Sequence, residues 1–333
     1  MDSAQLLALV AALKGRRVAV VGDMVADEFV YGRVARVSRE APVLILEYDS
    51  TEMVPGAGGN AANNAAALGA EVTLASLVGT DQPTTRALAA LHERVDTHHV
   101  VRARRATTPV KTRILAGGVH SAKQQVVRID RGVGVAIDPA GRAAFERHAL
   151  RACARADAVL ISDYGSGLVT PRLARALRTE VRRAGRGTLI LVDTRHGLLE
   201  YKGLTACTPN ESEVEQALGV RIDDDVRVLE RAGRTVLERT RHRAVLNTRG
   251  SRGMALFQPN VPTVHIPIFG SDEIADVTGA GDTVMATVTL ALAAGASFEM
   301  AARLANYAGG LVVMKRGTAS VSARELRAAV TRG

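Results

Sequence analysis

Apolar residues along this chain fall into two kinds of run. Short continuous stretches end in glycine or a polar residue: Arg17 to Gly22, Glu71 to Gly79, Ala158 to Ser162, Thr188 to Val192 and Ala244 to Asn247. Their length and content are those of strands buried on both faces of a parallel sheet. Between them, spaced apolar positions predict helices over Leu6 to Leu13, Ala61 to Leu68, Gln82 to Arg94, Pro139 to Ala152, Pro171 to Ala184, Val226 to Arg239 and Ala323 to Val330. Met254 to Phe257, after Gly253, reads as an antiparallel continuation. Regular strand–helix alternation predicts an α/β fold with a mostly parallel sheet.

Two stretches interrupt that alternation. Phe29 to Asp49 shows extended, partly alternating segments around Ser38-Arg39-Glu40-Ala41-Pro42, and Thr107 to Asp130 reads as a hairpin turning at Gly117-Gly118. Both predict a small β flap projecting from the sheet. With no Pro/Gly/Ser-rich linker, repeat or low-complexity segment, the expectation is a single domain over residues 1–333 with a β lid formed by about 29–50 and 107–130.

Polar residues recur where strands end: Asp23, Asp163, Asp193, Asn210 and Thr248. In a parallel sheet these line one edge, where α/β proteins bind ligands. Asp23 there is either a turn-forming aspartate or an acceptor for a polyol. Pro55-Gly56-Ala57-Gly58-Gly59-Asn60 leads into an alanine-rich helix, but Ala61 stands where a dinucleotide fingerprint needs its third glycine. Backbone N–H groups and one amide at that join instead form a cradle suited to sugar hydroxyls. Near the end, Asp276-Val277-Thr278-Gly279-Ala280-Gly281-Asp282 opens straight into the apolar run Thr283 to Ala294. Unpartnered N–H groups at such a helix start suit an anion. Asp282 is then either a cap or a base beside a phosphoryl group. Lys111 and Arg113, two apart on a strand, share a face and either hold a phosphate or guard an exposed edge.

Composition narrows the classes. The chain has 333 residues, of which 47% are hydrophobic, enough for a large packed core. Its net charge is +9, yet aromatic residues make up 3% with no tryptophan, so there are few platforms for stacking bases and nucleic acid is a weak partner. Cys153 and Cys207 stand far apart without metal-ligand spacing, which fits a reducing cytoplasm. No apolar run approaches the roughly 18 to 20 residues of a membrane span.

Gly58-Gly59-Asn60, Thr208-Pro209-Asn210-x-x-Glu213, Thr248-x-Gly250 and Asp276 to Asp282, in this order between about Val18 and Val321, resemble the motifs of the ribokinase-like PfkB carbohydrate kinases. Gly22-Asp23-Met24-Val25-Ala26-Asp27, Tyr31-Gly32, Ser38 to Pro42 and Asp163-Tyr164-Gly165-Ser166-Gly167 are further similar to bacterial kinases that phosphorylate D-glycero-D-manno-heptose 7-phosphate at O1, toward the ADP-heptose of the lipopolysaccharide inner core. The resemblance implies a ribokinase-like three-layer sandwich carrying a β lid, in a cytoplasmic kinase that dimerises through that lid. It implies ATP and Mg²⁺, and leaves a monovalent cation such as K⁺ open. Asp282 would be the base, and the N–H groups of Gly279, Ala280 and Gly281 the anion hole. Asn210 and Glu213 would organise Mg²⁺ and the triphosphate, Glu213 through water. Thr248, Gly250, Asn306 and Gly309 would meet the nucleotide. Asp23, Gly58, Gly59, Asn60 and Asp163 would hold the sugar, and Lys111, Arg113 and Arg128 its phosphate. A kinase without a fused nucleotidyltransferase is expected, since no H-x-G-H pattern is present. One departure is Asp193-Thr194-Arg195, where relatives carry Asp-Pro-Lys or Asp-Pro-Arg, leaving Arg195 without an assigned role. A kinase for another sugar, sugar phosphate or nucleoside would share every ATP-side motif, and a sugar-binding regulatory protein would share the scaffold.

Overall fold

Strand Arg17–Gly22 is apolar on both faces, and its alternation splits the interior in two. Val18 and Val20 enter one core cluster, Ala19 and Val21 the other. The computed structural model describes residues 3–117, 123–132, 137–270 and 276–332. Within them, 10 strands form the main sheet, in the order Val264–Ile266, Met254–Phe257, Ala244–Thr248, Ala206–Cys207, Leu189–Thr194, Ala158–Asp163, Arg17–Gly22, Glu71–Val78 and Val95–Asp96, with Val100–Arg102 also beside Glu71–Val78. All pairings are parallel except those of Met254–Phe257 with its two neighbours. Helices Ser3–Ala12, Gly58–Ala67, Ala280–Ala293, Phe298–Val313 and Ala323–Arg332 cover one face. Pro139–Cys153, Pro171–Arg183, Glu211–Leu218 and Val226–Thr240 cover the other, completing a three-layer sandwich.

Local chemistry sets the helix starts. Asp138, Thr170 and Ser297 each accept a hydrogen bond from a backbone N–H three residues on, and Pro139 and Pro171 occupy first-turn positions where no donor is needed. The helix expected from Gln82 to Arg94 stops at Ala89. The chain must turn there, because His92 N–H donates to Asn63 Oδ1 and Val95 then pairs beside Val72.

A second sheet of four strands stands off the edge where the main strands end, in the order Leu44–Ala57, Met24–Val37, Val110–Gly117 and Gln124–Arg131. Its first two strands are longer than the stretch 29–50 read from the sequence. They start directly after Asp23, so the chain leaves the central strand and enters the flap with one residue between. The flap's root is buried at Met24, Val25 and Ala26, which hides the alternation expected of an exposed ribbon. Its outer part carries exposed Val34, Val37, Leu44, Tyr48, Val127 and Ile129. Gly118, expected at the hairpin turn, lies outside the described residues.

The join between the two sheets is crowded. A Cβ on Gly22 would lie 2.4 Å from the carbonyl oxygen of Ser162 on the adjacent strand. Ala57, where the flap returns to the helix at Gly58, has φ 54°, a region that alanine enters at a cost. We expect Gly22→Ala to destabilise the fold by about 2 kcal/mol or more, because backbone cannot yield as a flexible side chain does. Urea unfolding measures this, and an unchanged midpoint at equal slope would refute the packing argument.

Candidate active site

Asp282 is the third residue of helix Ala280–Ala293, yet it does not cap it. The preceding Gly279 takes the left-handed conformation at φ 78°, and no side chain closes that end. The Asp282 carboxylate is buried and turned to other elements: Oδ2 accepts from Asn60 Nδ2 at 2.8 Å and Oδ1 from the Tyr164 hydroxyl at 2.8 Å. Burial pushes its pKa up to about 6 against the pull of those two donors, with Asp27 pushing further and Arg195 opposing. The capping alternative is thereby removed, and a carboxylate poised to take a proton near neutral pH remains.

Asn60 is itself held. Asn64, one turn on, donates to its Oδ1 and its backbone carbonyl at 3.0 Å each, and Thr283 donates to Asn64 Oδ1. A Cβ on Gly279 would lie 2.5 Å from Asn60 Nδ2, so glycine there is what admits the amide. Of the three N–H groups expected to form an anion hole, that of Ala280 is engaged with Val277 O at 3.2 Å. Space in front of the helix is open at Gly281, where an added Cβ would meet nothing within 4 Å.

Between lid and sheet lies a cavity of about 310 Å³, bordered by Asp23, Lys111, Arg128, Tyr164, Arg195 and His196. Lys111 Nζ is 5.2 Å and Arg195 Cζ 4.4 Å from the Tyr164 ring centroid. Burial depresses the Lys111 ammonium, and the nearby Arg195 adds to this, so an anion entering the cavity would be attracted by both. Arg113 belongs elsewhere. Its guanidinium is buried and pairs with Asp27 Oδ1 at 2.6 Å, although it shares a strand face with Lys111. Of the three expected phosphate ligands, Lys111 and Arg128 line the cavity, Arg128 there paired with Asp130 by two hydrogen bonds, and Arg113 is committed to Asp27.

Several expected sugar ligands are occupied within the protein. Asp163 accepts from the Tyr201 hydroxyl at 2.7 Å, Thr194 Oγ1 at 2.9 Å and Gly165 N–H at 3.0 Å, so it organises the loop after its strand. Gly58 donates its N–H to Asp23 O at 2.8 Å, and a Cβ on Gly59 would meet Pro55 at 2.8 Å. Both glycines thus serve close packing at the joint, and the Gly58 N–H is already engaged there. Asp23 accepts from Tyr164 N–H at 2.7 Å and from the Ser166 hydroxyl, but it still borders the cavity. Burial raises its pKa against those donors.

On the nucleotide side, Asn210 and Glu213 form a reciprocal cap. Asn210 Oδ1 accepts from Glu213 N–H at 2.8 Å, and Glu213 Oε2 accepts from Asn210 N–H at 2.9 Å. Asn210 also bridges Thr248, which joins two of the sequence motifs, and Gly250 beyond it faces open space. Asn306 donates to Pro267 O at 2.8 Å, and a Cβ on Gly309 would crowd Val284, so both secure the last helices. Asp193 is raised well above the usual carboxylate range by burial, then by Glu213 and Asp282. Among the described residues no group of three acidic, histidine or cysteine side chains is arranged to hold a metal alone. Two crowded carboxylates with a free edge nevertheless fit Mg²⁺ arriving on a triphosphate, an ion that typically takes one or two carboxylates plus phosphate oxygens.

The sequence motifs assign no site role to Tyr164, Asn64, Thr283 or Arg195. One signal was available: Asn60 and Asn64 stand i, i+4 in an otherwise alanine-rich helix, which places two amides on one buried face.

A model of the pfkB family of carbohydrate kinases matches residues 16–325. The chain is 41% identical over 313 residues to the bifunctional protein HldE of Geobacter metallireducens, covering 92% of this chain and 61% of that protein. It is 40% identical over 334 residues to the bifunctional protein HldE of Caulobacter vibrioides, covering 98% and 66%. The chain thus spans about three fifths to two thirds of the length of these relatives. Among solved structures, Escherichia coli phosphofructokinase-2 with fructose-6-phosphate superposes with TM-score 0.76 at 17% identity, over 96% of this chain and 99% of that one. Arabidopsis thaliana ribokinase with ribose and ATP superposes with TM-score 0.71 at 18% identity, over 95% and 99%. These likenesses establish a ribokinase-like sandwich.

The Asp282 carboxyl contributes stability while protonated, below the unfolded value near 4, and loses it as pH rises through about 6. We expect Asp282→Asn to raise stability at pH 8 by on the order of 2 kcal/mol, with the gain fading as pH falls to 4. Thermal melting of both proteins at the two pH values checks this, and a destabilised variant at pH 8 would contradict the burial cost.

Proposed function

Since the chain belongs to the pfkB family of carbohydrate kinases, we propose that it transfers the γ-phosphoryl group of ATP to O1 of D-glycero-β-D-manno-heptose 7-phosphate. The products are heptose 1,7-bisphosphate and ADP, on the route to the ADP-heptose of lipopolysaccharide. The observation that carries this reading is a buried, doubly hydrogen-bonded Asp282 at a helix start, one of whose donors, Tyr164, lines a cavity whose wall also holds Lys111, Arg128 and Arg195.

In this reading Lys111 and Arg128 hold the sugar's own phosphate, while Asp23 accepts from a ring hydroxyl. Asp282 takes the proton of the O1 hydroxyl as that oxygen attacks. The N–H groups of the helix start, Gly281 foremost, face the oxygens of the group in flight, and oriented donors of this kind are each worth roughly 3 to 4 kcal/mol. Asn210, Glu213 and Asp193 would hold Mg²⁺ and the triphosphate, and the ion would neutralise phosphate charge there. Thr248 and Gly250 line the nucleotide. The exposed apolar outer face of the lid, with Val37, Tyr48 and Val127, is where a second copy would pack.

An ADP-release panel with heptose 7-phosphate, fructose phosphates, ribose and nucleosides should give the highest kcat/KM for heptose 7-phosphate, with an acid limb near pH 6 set by Asp282. A higher value for ribose or a nucleoside would overturn the assignment. Lys111→Ala should raise KM for the sugar phosphate about tenfold or more with little change in melting. Arg113→Ala should instead lower stability by about 3 kcal/mol, because it strands buried Asp27. The reverse pattern would exchange their roles. Val127→Glu should shift the protein toward monomer in sedimentation, and a dimer unaffected by it would place the interface elsewhere.

A further inference from the structure

Tyr164 meets both ends of the proposed reaction. Its backbone N–H donates to Asp23 Oδ2 at 2.7 Å and its hydroxyl to Asp282 Oδ1 at 2.8 Å, while Lys111 and Arg195 lie 5.2 Å and 4.4 Å from its ring centroid. We propose that Tyr164 is a positioning residue that ties recognition of the substrate's own phosphate to the orientation of the Asp282 carboxylate. The inference rests on reading the chain as a sugar-phosphate kinase.

Lys111 and Arg195 repel each other, and the electron-rich Tyr164 ring beside both offsets part of that repulsion. A phosphate between the cations would complete the balance and fix where they press on the ring. Tyrosine transmits such a constraint because it is rigid beyond two rotatable bonds, so the angle of the ring sets the place of the hydroxyl. The hydroxyl in turn holds one Asp282 oxygen, while Asn60 from helix Gly58–Ala67 holds the other. The charged groups that also bear on Asp282 are Asp27 from the lid and Asp193 and Arg195 at the end of strand Leu189–Thr194. Tyr164 thus links the phosphate-side cations to the base through one side chain. A sugar without a phosphate leaves the cations unbalanced and the ring less fixed. Discrimination therefore appears in kcat as well as in KM, since a misplaced base lowers the rate of the bound complex.

The test uses the full chain with Tyr164→Phe and Tyr164→Leu, assayed between pH 5 and 9 on the sugar phosphate and on the same sugar lacking its phosphate. Tyr164→Phe keeps the ring, so KM for the sugar phosphate stays within about threefold, while kcat falls about tenfold or more. Its acid limb moves up by about one pH unit, because a donor to the ionised carboxylate is gone. The kcat advantage of the phosphorylated sugar shrinks toward unity. Tyr164→Leu also raises KM for the sugar phosphate about tenfold or more and leaves KM for ATP unchanged.

A Phe variant with the native acid limb and an undiminished kcat advantage overturns the proposal, as does a Leu variant that loses ATP and sugar alike. Should the Leu variant fail to fold, the Phe variant alone still decides. Wild-type protein inactive on every sugar phosphate refutes the parent reading instead. In that event, protection from melting by inorganic phosphate, retained in Tyr164→Phe and lost in Tyr164→Leu, still supports the ring's part, and equal protection refutes it.

Discussion

A carboxylate withdrawn from water is tolerable when donors replace its hydration, and Asp282 obtains them from segments more than a hundred residues away. Asn60 comes from the helix that follows the lid, and Tyr164 from the loop after strand Ala158–Asp163. Neither could arrive without its own supports. Gly279 leaves room for the Asn60 amide, Asn64 and Thr283 fix that amide, and the Tyr164 backbone is anchored on Asp23. The helix-start motif therefore acquires its chemistry from the first half of the chain. Remaining imbalance shows as the raised Asp282 pKa, the property a general base near neutral pH needs.

Other acids at the same sheet edge show the contrast between fully satisfied and partly satisfied carboxylates. Asp163 receives three donors and Asp27 an arginine together with the Thr318 hydroxyl, and both stabilise the framework. Asp193, crowded by Glu213 and Asp282, is pushed toward its neutral form by burial and repulsion. The charge of such a group is stabilised by a cation brought from outside, and on the proposed function that cation would arrive at the acidic end with the triphosphate, leaving the Lys111 end to a bare phosphate.

Strand-end aspartates, the glycine-rich helix start and the layered α/β class were all legible in the sequence, because each follows from short-range pattern: continuous apolar runs, glycine before a helix, polarity where a strand stops. What the chain did not reveal was which donors satisfy which acceptors. Lys111 and Arg113 have the same charge and the same strand parity, yet the pairing of Asp27 with Lys111 in register leaves Asp27 Oδ1 to Arg113 two residues along. Similarly, Asp163 looked equivalent to Asp23, and the difference lies in Tyr201, 38 residues later in the chain. The end of helix Gln82–Ala89 has the same cause, a strand pairing that local pattern does not contain.

The lid follows from this connectivity. Only Asp23 separates the central strand from strand Met24–Val37, and Ala57 leads the returning strand straight into the helix bearing Asn60. Any swing of the lid about its root must act on those two points. Asp23 is fastened to Tyr164 and Ser166, and Gly58 to Asp23, so the root is held by hydrogen bonds that the exposed outer strands lack. Lys111 and Arg128 sit on the lid strands Val110–Gly117 and Gln124–Arg131, whereas Arg195 sits on the core. A phosphate bridging Lys111 and Arg195 would therefore join lid to core directly, and the same contact would bear on Tyr164. On the proposed function, closing over the sugar and orienting Asp282 would be one motion, because Asp23, Tyr164 and Asp282 share the same few hydrogen bonds.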